Sequence, residues 1–432
     1  MEYTKVKLPL GHGEIETEVP NLLKVAVPNH MEAVADPRLE IRRAIQHPIA
    51  SPRLCEIAKG KHSAAITVND ITRPYPGGMM VLEIADELHK AGLTDDEIFL
   101  VVAYGTHRIE TKEELIGMFG EEVVRRFRFV HHVADNPSTL KVLGKTEYGM
   151  TVEINKEFAE AEVKILTGLI TPHACAGFSG GRKSIVPGIS GMGCLKLHHS
   201  FPVVPADPAM GWMKGNLFHE QALAAARLAG VDFIVNNVDN AERQMVATVA
   251  GDLNEAHLAG TEICKKIWQI TIPTRADVVI VSPGGYPRDF DLHQAQKASS
   301  VAELACKKGG HIIVCAEAPD GSAKFGKHLK NANNPQEVVD LFKRVGMTAD
   351  ATGKAYMWAR GMLKHRISIV NSLMTKEELE EMFFHYYPTV DDAIADSLKI
   401  YGENATFLVI PYAADIFVTV EDESMQTQGE ER

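Results

Sequence analysis

Five short segments hold most of the side chains whose types and spacing suit chemistry. In Asp70-Ile71-Thr72-Arg73-Pro74, a carboxylate, a hydroxyl and a guanidinium precede a proline that stiffens the turn. Arg73 offers a planar fork of donors matched to a carboxylate or phosphate. Taken alone, the segment reads as a turn whose Arg pairs with a neighbouring acid. In Gly105-Thr106-His107-Arg108, His107 follows an apolar run. Its imidazole titrates near neutrality and so suits proton transfer, although a lone His of this kind is more often structural. The richest segment runs from Thr171 to Gly188 and holds His173, three glycines within five positions (Gly177, Gly180, Gly181), Arg182 and Lys183. Such a loop can hold a phosphate on its backbone N–H groups. It is not a nucleotide-triphosphatase loop, because Arg182 stands where that motif requires Gly, and the loop begins several residues after its strand. The plain alternative is a glycine-rich loop with a solvated Lys183.

The fourth segment is the tandem His198-His199. Adjacent side chains point apart, so at most one of them enters a given site. No HExxH and no Cys/His ligand spacing supports a zinc hydrolase. The fifth runs from Pro283-Gly284-Gly285-Tyr286-Pro287-Arg288-Asp289 to His293, Gln294 and Lys297. A glycine turn before a helix start can bind an anion, and Gln294 and Lys297 share a helix face. Trp358, two residues before Arg360, is by type more often core than lid.

These residues need elements to position them. Residues 1–20 alternate around Gly11-His12-Gly13 as a β-hairpin, with Val6 and Leu8 on one arm and Ile15 and Val19 on the other. Ser63–Val68, Ile98–Ala103 and Val163–Leu169 read as buried strands. Gly77–Ala91 has helical spacing and stops at Gly92; a capping box, Thr111 with Glu114, opens another helix. A second series holds the strand Asp277–Val281, a helix from about Asp291 to Lys308, the strand His311–Ala316 and helices at Asn334–Val345 and Thr375–Phe384. It ends with the strand Thr406–Ile410 and a polar tail after Val420 expected to fray. The alternation predicts an α/β fold of two domains with mainly parallel sheets, residues 1–272 and 273–432, and an active-site cleft between them. In parallel sheets ligands bind beyond the carboxyl ends of strands, which is where residues 70–76, 104–108 and 171–187 fall.

Composition narrows the function classes. The chain has 432 residues and a net charge of −12, with 24% charged and 45% hydrophobic residues, an ordinary globular balance. The acidic excess argues against a nucleic-acid binder, and no run nears the roughly eighteen apolar residues of a membrane span. Six scattered cysteines without a CxxC pair, and a polar start lacking the pattern of a secretory signal, predict reduced thiols in a cytoplasmic protein.

Taken in order from Asp70 to Trp358, the five segments resemble the nickel-pincer lactate racemase family. That resemblance implies racemisation of a 2-hydroxy acid. The implied cofactor is nickel on a pyridinium mononucleotide bearing a thioamide and a thiocarboxylate, made by dedicated enzymes and linked covalently to Lys183. By the same resemblance His199 is the nickel ligand, with His198 as its rival, and His107 and His173 are the acid/base pair. Asp70, Thr72, Gly180, Gly181 and Trp358 then lie around the cofactor, while Arg73, His293, Gln294 and Lys297 attend the substrate. Lactate-specific members carry Tyr where His293 stands. This departure predicts a larger or more polar substrate than lactate, with Arg360 as a second anion contact. Two other classes compete: a zinc hydrolase built on His107, His173 and His199, and a non-catalytic binding protein for an organic acid or nucleotide.

Overall fold

The computed structural model describes residues 2–421, so the expected fraying beyond residue 421 lies outside the described residues. The chain forms two compact units. An N-proximal unit contains His30–His198 and Trp212–Ile267; a C-proximal unit contains the chain up to Asn29, His199–Gly211 and the chain from Trp268 on.

The N-proximal unit is built on a six-stranded sheet. Its spatial order is Met245–Gly251, Phe233–Asp239, Val163–Leu169, Ala64–Asn69, Ile98–Ala103 and Arg128–His131. All neighbours run parallel except Met245–Gly251, which is antiparallel to Phe233–Asp239. The central strands are apolar on both faces because helices cover both sides of a parallel sheet. Burying each Val, Ile or Leu there contributes roughly 1.5–3 kcal/mol. The helix Gly77–Lys90 packs Met80, Val81, Ile84 and Leu88 against this sheet and stops before Gly92, whose φ is +103°. The capping box expected at Thr111 forms, with Thr111 and Glu114 bonding each other's backbone N–H.

The C-proximal unit has a second six-stranded sheet, parallel throughout: His385–Tyr387, Arg366–Val370, Cys306–Cys315, Ala276–Val281, Phe407–Ile410 and Leu22–Val25. The last strand corrects the expected single boundary. Leu22–Val25 pairs with Phe407–Ile410, so the N-terminal hairpin Tyr3–Leu10 with Gly13–Pro20 belongs to the C-proximal unit and buries Val6, Leu8 and Val19 in its core. Local pattern marks a hairpin but not its distant partner. The helix expected to reach Lys308 ends at Ala305, because Cys306 turns extended and pairs with Ala276. Among the described residues, no helix is long and apolar enough to cross a membrane.

Candidate functional site

In the N-proximal unit, three strand ends deliver the polar groups. After Ala64–Asn69 the chain turns through Asp70, whose side chain is buried and accepts from two sides. Thr72 Oγ1 donates to its Oδ1 at 2.7 Å, and His107 Nδ1 lies 2.5 Å from its Oδ2. Burial alone would raise the Asp70 carboxyl; the hydrogen bonds from His107 and Thr72 outweigh it and hold the pKa below the usual value. A carboxylate there fixes the hydrogen of a neutral His107 on Nδ1, which leaves the Nε2 lone pair able to take a proton. His107 is exposed, as are Thr72 and Arg73. Arg73 keeps exposed surface, yet protein crowds its guanidinium enough for desolvation to lower its pKa against the pull of Asp70.

Sequence reasoning missed Glu110. Its buried carboxylate accepts from Ile71 N at 2.9 Å, and its own N–H donates to Tyr104 Oη at 3.3 Å. It therefore joins the 70–76 turn to the 104–110 turn. A lone Glu near a capping box gives no sequence signal of that role.

The loop after Val163–Leu169 differs from the expected phosphate cradle. Ser179 N donates to Thr171 O, Gly181 N to Asn236 Oδ1 at 2.7 Å, Lys183 N to Gly180 O, and Gly188 N to Lys183 O. These amides are spent inside the protein and are not offered to an anion. Gly180 (φ +79°) and Gly181 (φ +52°) serve close approach instead. A Cβ would fall 2.9 Å from Asn236 Oδ1 at the first and 2.9 Å from the His257 ring at the second. Arg182, the residue that breaks the nucleotide-loop pattern, is the strut of the loop. It is buried and donates to the carbonyls of Ala176 (2.7 Å), Phe178 (2.9 Å) and Gly180 (3.2 Å), with His257 Nε2 at 2.8 Å. Burial pushes its pKa down to about 9.

With Arg182 turned inward, Lys183 and His173 face each other. Lys183 Nζ lies 3.1 Å from His173 Nε2 and 5.8 Å from the Phe218 ring centre. Desolvation, then the nearby charges of Arg73 and Arg182, hold the Lys183 pKa well below its usual value. His173 Nδ1 accepts from the N–H groups of Cys175 and Ala176, each at 3.2 Å.

The histidine tandem separates in kind. His198 ends the helix Met192–His198, is fully buried, and has Nε2 2.8 Å from Phe218 O with its ring tilted at 54° against that of Phe218. His199 is half-buried and begins the segment His199–Gly211. Among the described residues, no three His, Cys, Asp or Glu side chains converge as a metal-binding group, which is what a protein-only zinc centre needs.

In the C-proximal unit, Asp291 caps the helix Leu292–Ala305 by accepting from Gln294 N at 2.7 Å. Gln294 Oε1 accepts from Lys297 Nζ at 2.7 Å, so the two act as a pair on the shared face. His293 is half-buried. Burial, then Lys354 and Lys297, lower its pKa to about 4, so it is neutral at neutral pH and not the charged group its position allowed. Lys354, which no sequence pattern singled out, donates to Gln296 Oε1 at 3.0 Å.

Trp358 is fully buried. Its Nε1 donates to Leu292 O at 3.2 Å and its ring meets Phe384 edge-on, so it braces the start of the Gln294 helix. Arg360 is not a free anion contact, because it is buried against Glu303 (3.6 Å) and donates to Pro205 O at 3.3 Å. The 283–289 turn is likewise locked. Gly11 N donates to Asp289 Oδ2 at 2.6 Å, Tyr286 N to Gly11 O at 2.7 Å, and the His12 ring lies against Tyr286 with centres 4.3 Å apart.

Comparison with known proteins places the whole chain. Residues 10–211 match the lactate racemase N-terminal domain and residues 271–418 the lactate racemase C-terminal domain. A lactate racemase from Thermoanaerobacterium thermosaccharolyticum is 30% identical over 423 residues, 96% of this chain and 99% of that protein. One from Lactiplantibacillus plantarum is 32% identical over 383 residues, 88% of this chain and 90% of that protein. The solved apoprotein structure of the lactate racemase from T. thermosaccharolyticum superposes with a TM-score of 0.86, covering 96% of this chain and 100% of that one. Both halves of the sequence and its full-length fold thus agree, and this chain is a member of the lactate racemase family and an isomerase.

Proposed function

We propose that the protein interconverts the enantiomers of a 2-hydroxy acid, using a nickel-bearing pyridinium nucleotide linked to Lys183. The observation that carries this reading is the setting of Lys183, 3.1 Å from His173 and with its pKa held well below the usual value by desolvation and then by the charges of Arg73 and Arg182. An uncharged amine is the form able to make a covalent link. His199 is the better candidate for a nickel ligand, since the Nε2 of His198 is spent on a backbone carbonyl. The Gly181 amide, spent on Asn236 Oδ1, does not support a role in holding the phosphate.

When bound, the nucleotide supplies an acceptor for the substrate hydride, which spares the reaction a carbanion. The protein must then manage a proton and a carboxylate. His107, with Nδ1 held by Asp70, is arranged to take the hydroxyl proton on Nε2. His173 is its counterpart for the opposite enantiomer, whose hydroxyl points elsewhere. Arg73 is the proposed carboxylate fork, and the resemblance assigns the same anion to Lys297 with Gln294. Thr72 serves by fixing the Asp70 carboxylate. A neutral His293 in place of Tyr favours a substrate with a larger or more polar 2-substituent than lactate. Enzymes that make the cofactor are the implied partners. Six cysteines without a disulfide support a cytoplasmic setting.

The test is the mass of the tryptic peptide containing Lys183, together with nickel in the intact protein, after expression with the cofactor-making enzymes. A pincer-nucleotide adduct is expected. An unmodified Lys183, in cells that load another family member, would remove the cofactor reading. Chiral chromatography over a series of 2-hydroxy acids tests the substrate. Lactate turning over far faster than every larger acid would overturn that part.

A further inference from the structure

We infer that Glu110 is a positioning residue for the racemisation. By holding Ile71 N–H it fixes the turn that aims the Asp70 carboxylate at His107, and so keeps His107 in the tautomer able to take the hydroxyl proton. The inference rests on His107 being an acid/base group. Every residue in it belongs to the N-proximal unit.

The sheet stops short of setting this geometry. The ladder between Ala64–Asn69 and Ile98–Ala103 ends with Asn69 opposite Ala103. The residues that follow are turns, with Ile71, Thr72, Arg73, His107, Arg108 and Ile109 all exposed. Two hydrogen bonds cross between those turns. One joins His107 Nδ1 to Asp70 Oδ2 at 2.5 Å; the other runs from Ile71 N to Glu110 Oε1 at 2.9 Å. Ile71 N lies in the peptide plane that begins at Asp70, so an acceptor on it sets the direction in which the Asp70 side chain leaves the backbone. A carboxylate acceptor makes that bond charge-assisted.

Glu110 is itself held. Its N–H donates to Tyr104 Oη at 3.3 Å, and the same hydroxyl lies 2.8 Å from Nδ1 of His131, at the end of the next strand. Tyr104 is buried, and Glu110 is only 6% exposed although Ile109 and Thr111 on either side are exposed. Supports therefore run from His131 through Tyr104, Glu110 and Ile71 to Asp70, and end on His107. Stability alone does not account for this arrangement. Glu110 Oε2 is buried with no hydrogen-bond partner among the described residues, and a buried carboxylate with an oxygen left over costs stability. What the arrangement secures is the His107 tautomer. With Asp70 aimed at Nδ1, the ring hydrogen stays there. Without that aim a neutral imidazole can carry its hydrogen on Nε2, where it can then take no hydroxyl proton.

The experiment makes two readings on the full chain. In protein without cofactor, nitrogen-15 spectra of the histidine rings at about pH 9, where free imidazole is neutral, report which ring nitrogen carries the hydrogen. His107 is assigned by the signals lost in His107→Gln. The native chain should show His107 with its hydrogen on Nδ1, Glu110→Ala should lose that exclusive pattern, and Glu110→Gln, whose amide oxygen still accepts from Ile71 N, should keep it. In protein made with the cofactor-producing enzymes, kcat/KM is read on the 2-hydroxy acid that the native enzyme turns over fastest. Glu110→Ala should lower it about 10- to 100-fold, and Glu110→Gln should recover most of the loss. Tyr104→Phe, one support further back, should cost about fivefold. Thr111→Ala, which loosens the adjoining helix but leaves the Glu110 bond, should cost nothing. An unchanged His107 pattern in Glu110→Ala overturns the inference, as does Glu110→Gln or Thr111→Ala falling as far as Glu110→Ala. If the tautomer changes as stated but racemisation does not follow it, the acid/base reading of His107 fails and the hold of Glu110 on that ring stands.

Discussion

Two glycine turns follow apolar strands, one in each unit, and look alike in sequence. Gly177–Gly181 follows Val163–Leu169, and Gly284-Gly285 follows Ala276–Val281. Each has the form of an anion cradle, and in each the protein itself engages part of the backbone. In the first, backbone N–H groups are spent on Thr171 O and Asn236, and the carbonyls are spent on the buried Arg182 strut. In the second, the partner is the tip of a hairpin far away in sequence, with Gly11 bonded to both Asp289 and Tyr286 across the turn. The difference lies in what is left over. An internal strut lets the first loop turn Lys183 and His173 toward each other, whereas the second is closed by Asp289 and His12 and serves as a joint. A glycine pair after a strand therefore marks close backbone approach before it marks a ligand.

The sharpest way to break this contrast is Lys183→Ala. Activity of protein made with the cofactor should fall by at least about 10³-fold, as for loss of a covalent catalytic group, while the melting temperature holds or rises. Retained racemisation in a chiral assay would put the chemistry elsewhere. Arg182→Met tests the strut. It strands three carbonyls and should cost about 3–5 kcal/mol in denaturant unfolding. A loss below about 1 kcal/mol would mean that the carbonyls find other donors. Gly285→Ala tests the joint. The φ of +70° and a Cβ 2.9 Å from Gly11 O should cost about 1–3 kcal/mol, with turnover per folded molecule largely kept. A large kcat loss at unchanged stability would give that turn a direct part in catalysis.

Acid should act on both units alike. Burial lowers His132 to about 4 and His219 to about 3 in one, and His311 to about 3 and His365 to about 4 in the other. Each binds its proton more weakly when folded than when unfolded, so the unfolded state gains protons first as pH drops below 6.5. Denaturation midpoints should fall steadily from about pH 6.5 toward 4. His311→Gln, replacing a ring held between Ser368 and Ser397, should flatten the slope; an unaltered slope would remove His311 from the account. The smallest effect expected is Thr111→Ala, which deletes a helix cap worth about 1 kcal/mol and should leave turnover unchanged.

The candidate groups were readable in one dimension, since Asp70, His107 and His173 lie within a few residues of strand ends that period and turn chemistry mark, and Lys183 follows in the glycine-rich loop after Val163–Leu169. Their partners were not. That Asp70 grips His107 across 37 residues, that Glu110 ties the two turns, and that Arg182 faces inward depend on which strands become neighbours. Trp358 and Arg360 show the same limit: their types suggest a lid and an anion contact, and packing makes both internal braces.

The sequence by itself determined the α/β alternation, the caps, the burial of the central strands and the ordered set of chemical groups, because these follow from local backbone preference and hydrophobic period. Tertiary structure decided the membership of the first 29 residues, the use made of the glycines and the desolvation of Lys183. Those depend on long-range pairing and on desolvation, which are properties of neighbours in space that no local pattern encodes.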